Sequence, residues 1–257
     1  MMKKPSILVV GVGVVGTNIT RRLLPEPTIE GQVSVYVYDK YKENFNEKEN
    51  KHYDLAFICV DTPLTVDDIC DISEVRNALI ENDAELFVIK STVLPGTTEM
   101  LRRETGKHIV FSPEDYGNTQ HCNNSNFNFT ILGGFKTDCI KAIQILQQVY
   151  DASHQFHITD SKTAELVKYM ENSYLAMKVS FCNQFYRIAE SAGVNYEELR
   201  ELFILDPRVN PSHTFVYRDK PYWDSHCLNK DVKAIAEEYN AELLKELIEF
   251  NNKCKEG

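Results

Sequence analysis

A doubly wound α/β sheet followed by an all-helical region is the architecture that this chain of 257 residues predicts. Three observations predict it. Apolar runs of strand length alternate with helical patterns up to about residue 150; the first run ends in the glycine-rich turn Gly11-Val12-Gly13-Val14-Val15-Gly16; and beyond residue 160 the periodicity is helical only. The strands are expected at 5–10, 33–38, 54–60, 85–90, 108–111 and 129–132, several of them continuous apolar runs of the kind a parallel sheet buries on both faces. The glycine turn opens a helix over Thr17 to Leu24. A second helix is expected over 138–149, with Ile140, Ile143, Leu146, Gln147 and Val149 forming a mixed apolar face. A long helix follows over 161–192, ended by Gly193, and a last amphipathic one over 232–251. The segment from Lys40 to Asn50 is charged and reads as a solvated loop or short exposed helix. Two domains are expected, 1–155 and 156–257.

The glycine turn carries a specific chemistry. It is entered from Ile7-Leu8-Val9-Val10, opens a helix, and is followed 23 residues after its last glycine by Asp39 at the end of the second strand. That context makes it a Rossmann-type dinucleotide-binding βαβ unit. Gly11 serves the tight turn, Gly13 lets backbone approach a pyrophosphate at the helix N-terminus, and Gly16 lets helix and strand pack closely. Val14 and Val15 lie in the same turn. Asp39 accepts from ribose hydroxyls and repels a 2′-phosphate, so NAD is expected rather than NADP. The alternative is a glycine-rich turn with no ligand.

Composition narrows the partners. A formal net charge of −10, from 28 basic and 38 acidic residues, argues against nucleic acid or an anionic membrane. Lys3-Lys4 before an apolar stretch mimics a signal peptide, but the glycines and Arg21-Arg22 fit a first strand and helix better. No apolar run approaches the length of a membrane span. Seven cysteines, an odd number without CxxC spacing, argue against a disulfide frame or a zinc site and for a reducing compartment, the cytoplasm by default.

Six further segments are more specific. Phe57-Ile58-Cys59-Val60-Asp61-Thr62-Pro63-Leu64, Lys90-Ser91-Thr92-Val93-Leu94-Pro95-Gly96-Thr97-Thr98, Ser112-Pro113-Glu114, Ala164-Glu165-Leu166-Val167-Lys168-Tyr169-Met170-Glu171-Asn172, Asp206-Pro207-Arg208 and Cys227-Leu228-Asn229-Lys230-Asp231 occur in this order. Together with the glycine turn they resemble the UDP-glucose/GDP-mannose dehydrogenase family, including its DPR segment and CxxKD nucleophile motif. The resemblance covers nearly the whole chain and ends where that family's nucleotide-binding third domain would follow, so a short form lacking it is expected.

On their own terms, Lys168 and Asn172 are four apart on a helical pattern and project from one face, as groups holding an oxyanion would. An exposed polar pair is the alternative. Cys227 precedes Lys230 by three residues and Asp231 by four, and a thiolate needs nearby positive charge. A buried structural cysteine is its alternative, and is the reading given to Cys59, Cys70, Cys139 and Cys182. Thr92 and Glu114 follow predicted strands, the edge where ligands bind, although a turn residue and a helix N-cap would read the same way.

The resemblance implies more. NAD would take hydride twice, converting a sugar C6 alcohol to an aldehyde and then, through a cysteine-bound thiohemiacetal, to a thioester that water hydrolyses. Cys227 would be the nucleophile, Asp231 would position or activate water, Lys168 and Asn172 would stabilise oxyanions, Glu114 would be the base of hydrolysis, and Thr92 would hydrogen-bond the water. Lys230 would contribute to the substrate site. Arg208 would reach the substrate of a neighbouring subunit in a homodimer formed through the helical domain. Val60, Thr62, Ser91 and Thr92 would line the NAD site beside Gly11, Gly13, Val14, Val15, Gly16 and Asp39. No metal is implied.

The departures from the family pattern are also specific. The glycine-rich segment before the nucleophile is replaced by Tyr222-Trp223-Asp224-Ser225-His226, so bulky side chains stand where backbone amides would approach a sugar. Asn118 stands where a second glutamate is usual, Asn123 to Asn128 replace a Pro and Arg loop, and the stretch from Asp39 to Cys59 is short. Three readings follow: a minimal nucleotide-sugar 6-dehydrogenase, a dehydrogenase of a smaller alcohol, or a non-catalytic NAD- or partner-binding homologue. The joint presence of Lys168, Asn172, Cys227, Lys230 and Asp231 favours the enzymes.

Overall fold

The structure is a computed structural model and describes residues 4–24, 32–47, 51–66, 68–114 and 127–256. The sequence features at Lys3, Lys48 to Asn50, Asn118, Cys122 and Asn123 to Asn126 lie outside these residues. Among the described residues seven strands form one sheet: β1 (Ser6–Val10), β2 (Ser34–Tyr38), β3 (Leu55–Ile58), β4 (Phe87–Ile89), β5 (Ile109–Phe111), β6 (Phe129–Gly133) and β7 (Gln155–Thr159). Their order is β2-β1-β3-β4-β5-β6-β7, and every pairing is parallel except β5 with β6, which meet antiparallel at Phe111 and Gly133.

Alternation along the strands builds two cores. Ile7, Val9, Leu55 and Phe57 pack on one face with Ile19 and Leu23 of α1 (Val14–Leu23) and with Cys139, Ala142 and Leu146 of α4 (Lys136–Leu146). Leu8, Val10, Ala56 and Ile58 pack on the other with Val75 and Leu79 of α2 (Ser73–Glu81), Leu101 of α3 (Thr97–Thr105) and Ala164 of α5 (Ser161–Ala192). Helices on both faces make the sheet doubly wound, as expected. The chain leaves β1 for β2 on one side and returns to β3 on the other, so the strand order reverses at the edge where the glycine turn emerges, the place where such sheets bind ligands.

Residues 1–63 with 70–168 form one compact unit, and 64–69 with 169–257 form a second. The second is helical, with most of α5 joined by α6 (Tyr196–Phe203), α7 (His226–Glu238) and α8 (Glu242–Glu256). Trp223, Leu228, Val232 and Ala176 form its principal core.

Several expectations need correction. The last helix is two helices: α7 ends at Glu238, and Asn240 at φ +47° turns the chain into α8. The first helix starts at Val14 rather than Thr17, and α4 starts at Lys136 and buries Cys139 and Ala142 while Ile140 is exposed. Strand β7 and helices α2, α3 and α6 were not placed by the sequence reading. The charged segment after Asp39 agrees with the expectation of a loop or short exposed helix: among its described residues Glu43–Phe45 forms an exposed 3-10 turn.

Candidate active site

The glycine turn shows what each glycine is for. Gly11 has φ +92°, and a Cβ there would lie 2.6 Å from the Cys59 carbonyl oxygen. A Cβ on Gly16 would lie 1.8 Å from the Gly11 carbonyl oxygen. Both are therefore required by the fold. Gly13 differs: its φ is −77°, and a Cβ would meet nothing within 4 Å. Neither strain nor packing asks for glycine there. It heads α1, whose first turn has no side-chain cap and no acidic residue, so the orphan amides of the helix N-terminus and its partial positive charge are available to an anion. These residues fit a pyrophosphate. Asp39, at the end of β2, accepts from Val12 N–H at 2.8 Å and from Tyr41 N–H at 3.0 Å, which fixes its carboxylate at the rim of the turn.

The loops leaving β3, β4 and β5 are tied to one another at the same edge. Ser91 Oγ donates to the Val60 carbonyl at 2.6 Å, and Thr62 Oγ1 donates to the Thr92 carbonyl at 2.8 Å. Lys90, buried at the end of β4, donates to Ser112 Oγ at 3.1 Å and to the Pro113 carbonyl at 2.9 Å, and its ammonium lies 3.8 Å from the buried Glu114 carboxylate. Burial pushes the Cys59 thiol up, and the negative charge of Glu114 adds to the effect. Glu165, fully buried on α5, accepts from Gly96 N–H at 2.5 Å and Thr98 N–H at 2.8 Å and so caps α3. Lys168, one turn later, is also buried. The sequence reading assigned nothing to Lys90 or Glu165. Their signal was there, a lysine closing an apolar run and a glutamate within an apolar helix face, but their partners are remote in sequence.

In the helical unit three buried polar residues meet. Asn172 Nδ2 donates to Asp231 Oδ2 at 2.6 Å, and Lys230 Nζ donates to Asp231 Oδ1 at 2.5 Å. Both carboxylate oxygens are thus engaged, and the pair Lys230–Asp231 is neutral overall. An exposed polar pair is excluded for Lys168 and Asn172. Cys227 is exposed and lies in the first turn of α7, one helical turn before Asp231, so the two share a face. Cys59, Cys70, Cys139, Cys182 and Cys254 are all buried. Arg208 stands apart on the surface, its guanidinium paired with both Asp206 oxygens at 3.0 and 3.1 Å, which holds the Asp206 carboxyl below its usual range. Two residues of the segment before Cys227 have structural roles. Trp223 is buried in the core and Ser225 caps α7 by accepting from Leu228 N–H at 3.1 Å.

A doubly wound parallel sheet with a glycine-rich turn at its switch point, followed in the chain by a helical unit, defines the class as a two-unit protein with a Rossmann-type dinucleotide-binding fold. Residues 18–154 match the NAD binding domain of the UDP-glucose/GDP-mannose dehydrogenase family, and residues 162–253 match its central domain. The chain belongs to that family. It is 30% identical over 215 residues to the UDP-N-acetyl-D-mannosamine dehydrogenase of Methanocaldococcus jannaschii, a stretch that is 77% of this chain and 48% of that protein. The chain spans about half the length of the curated relatives it matches. Among solved structures, a UDP-glucose dehydrogenase from Pyrobaculum islandicum superposes with a TM-score of 0.74 at 22% identity, covering 98% of this chain and 68% of that one. A 3-hydroxyisobutyrate dehydrogenase from Mycobacterium tuberculosis superposes with a TM-score of 0.68 at 14% identity, covering 98% and 94%.

Proposed function

We propose that this chain carries the catalytic residues of an NAD-dependent nucleotide-sugar 6-dehydrogenase that oxidises a sugar primary alcohol to the acid through a thioester on Cys227. The observation that carries this reading is the exposure of Cys227 on the first turn of α7, one turn from the buried Asn172–Asp231–Lys230 cluster, while the other described cysteines are buried. The similarity to UDP-N-acetyl-D-mannosamine dehydrogenases makes that nucleotide sugar the first substrate to test, with UDP-glucose next. The proposed division of the chain is 1–155 for NAD binding and 156–257 for the helical catalytic domain, and the proposed location is the cytoplasm.

NAD, when bound, would supply the hydride acceptor, one NAD for each of the two oxidations. Gly13 and the first amides of α1 hold its pyrophosphate, Asp39 holds a ribose, and Val60, Thr62, Ser91 and Thr92 line the site. Once the alcohol is an aldehyde, the Cys227 sulfur bonds to its carbon as the S–H bond breaks, and the thiol's proton passes to the oxygen, which Lys168 and Asn172 steady. Loss of a second hydride and of that proton leaves the thioester. Water held by the Thr92 hydroxyl then attacks, Glu114 takes its proton, the carbon–sulfur bond breaks and the Cys227 thiolate leaves. Asp231 keeps Asn172 and Lys230 in place. Arg208 serves the substrate of a second subunit.

The homodimer is proposed on the exposed stripe of Met170, Tyr174, Met177, Phe181, Phe185 and Ile188 along α5, spaced at three and four residues. Light scattering should give a dimer, and Phe181→Asp should give a monomer. A monomeric parent chain at all concentrations would remove the dimer. A second reading, oxidation of a smaller alcohol without nucleotide, is favoured by the fold similarity over 94% of a 3-hydroxyisobutyrate dehydrogenase. NADH production against a panel of nucleotide sugars and small hydroxy acids separates the two readings. Turnover confined to the small alcohols would replace the first by the second.

A further inference from the structure

The segment that replaces the family's glycine-rich approach to the nucleophile is held at each of three successive residues. Trp223 N–H donates to Asn251 Oδ1 at 2.9 Å, and Asn251 Nδ2 donates to the Trp223 carbonyl at 2.9 Å, a reciprocal pair for which a side-chain amide supplies both an acceptor and a donor. The indole Nε1–H donates to Ser180 Oγ at 2.9 Å. Asp224 Oδ1 accepts from Asn229 Nδ2 at 2.7 Å, and Ser225 caps α7. Trp223, Asn251 and Ser180 are all buried, so each lost partner would leave a desolvated polar group. The strap is therefore anchored to α8 through Asn251 and to α5 through Ser180, and Cys227 begins two residues after it ends.

We propose that Asn251 is a positioning residue for Cys227: by pairing with both backbone groups of Trp223 it fixes the strap from which α7 starts, and with it the helix N-terminus that the thiol occupies. The proposal rests on the reading of Cys227 as nucleophile only for its meaning in catalysis, because the positioning itself is measured without turnover. A glycine-rich segment leaves the start of such a helix free to approach a ligand, whereas here a buried tryptophan and an asparagine from the C-terminal helix set it.

The test is the alkylation rate of Cys227 at neutral pH, followed peptide by peptide with iodoacetamide, in the parent chain, Asn251→Ala, Ser180→Ala and Tyr196→Phe. Tyr196 donates to the Thr214 carbonyl at 2.9 Å, outside the strap, and controls for loss of stability alone. Trp223 is the only tryptophan of the chain, so its emission reports the strap directly. Asn251→Ala should slow Cys227 alkylation at least threefold and shift Trp223 emission to the red. Ser180→Ala should do both to a smaller extent, and Tyr196→Phe should do neither. If Asn251→Ala does not fold, Ser180→Ala alone decides. An unchanged or faster Cys227 rate in the folded strap variants, or an equal slowing in Tyr196→Phe, overturns the proposal. Acid formation that survives Cys227→Ser would instead overturn the nucleophile reading, leaving the alkylation result to stand by itself.

Discussion

The two units of this chain build their chemistry from different materials. In the sheet unit the candidate cofactor edge is made mostly of backbone: Gly11 and Gly16 satisfy steric demands of the turn, Gly13 leaves open space before uncapped amides, and Ser91 and Thr62 tie neighbouring loops together through carbonyls. In the helical unit the chemistry is made of side chains, Asn172, Lys230 and Asp231, buried together beside an exposed thiol. Backbone geometry is dictated by a few local residues and tolerates little change at them. A side-chain cluster is dictated by long-range packing, and its cost appears when one member is removed.

That contrast predicts the largest stability loss in the helical unit. Asp231→Ala removes the buried carboxylate that accepts from both Asn172 and Lys230, and breaking a buried pair by removing one partner costs about 3–5 kcal/mol. Urea unfolding should register it. The exposed Lys220–Asp224 pair, at 3.3 Å, should by comparison be worth about 1 kcal/mol or less. Equal effects would break the distinction between buried and surface charge.

In the sheet unit the next effect is pH-dependent. Burial, reinforced by the Arg22 guanidinium, pushes His154 down to about 4. Arg22 can only donate, so His154 Nδ1 accepts from it at 3.0 Å and Nε2–H donates to Thr130 Oγ1 at 2.8 Å. A base depressed in the folded state contributes stability above its unfolded value of about 6.5 and loses it as pH falls from there through 4. The loss should be on the order of 3 kcal/mol, and His154→Gln should flatten it. A pH-independent unfolding midpoint across that window would refute the buried neutral ring.

The three glycines sharpen the same comparison. Gly16→Ala should cost roughly 1–3 kcal/mol, toward the upper end because the atom it meets is backbone. Gly13→Ala should leave stability nearly unchanged and weaken NAD binding by calorimetry, because the methyl enters only the space of the pyrophosphate. Normal NAD affinity in Gly13→Ala would move the cofactor off this turn. The smallest effect concerns the ribose: NAD should bind more tightly than NADP, and Asp39→Asn should narrow the gap. Equal affinities in the parent chain would remove the role of Asp39.

Most of the sheet unit was legible because its signals are local. The six expected strands and the span of α5 depend on runs and periods read within a few residues. Strand β7 escaped because Gln155–Thr159 is a short edge segment, mostly exposed, with only Phe156 and Ile158 apolar. Helix α6 carried a readable start, Asn195 accepting from Glu198 N–H at 2.8 Å, three residues apart as in a capping box. The break between α7 and α8 was hidden because Leu243, Leu244, Leu247 and Ile248 continue the helical period, and asparagine is among the few residues that accept positive φ. Of the candidate site, Cys227, Lys168 and Asn172 followed from spacing and resemblance. The buried pairing of Lys90 with Glu114 and the clamp of Asn251 on Trp223 did not, since those partners are brought together only by tertiary packing.

The thioester reading is tested most directly by the stoichiometry of NADH to acid on UDP-N-acetyl-D-mannosamine, measured in the parent chain and in Cys227→Ser with intact-mass analysis of the protein during turnover. Two NADH per acid and a transient covalent adduct on Cys227 are predicted for the parent, and no acid for the serine variant, whose ester would form and hydrolyse far less readily. Full acid production by Cys227→Ser, or NADH release that stops at the aldehyde in the parent chain, would contradict it.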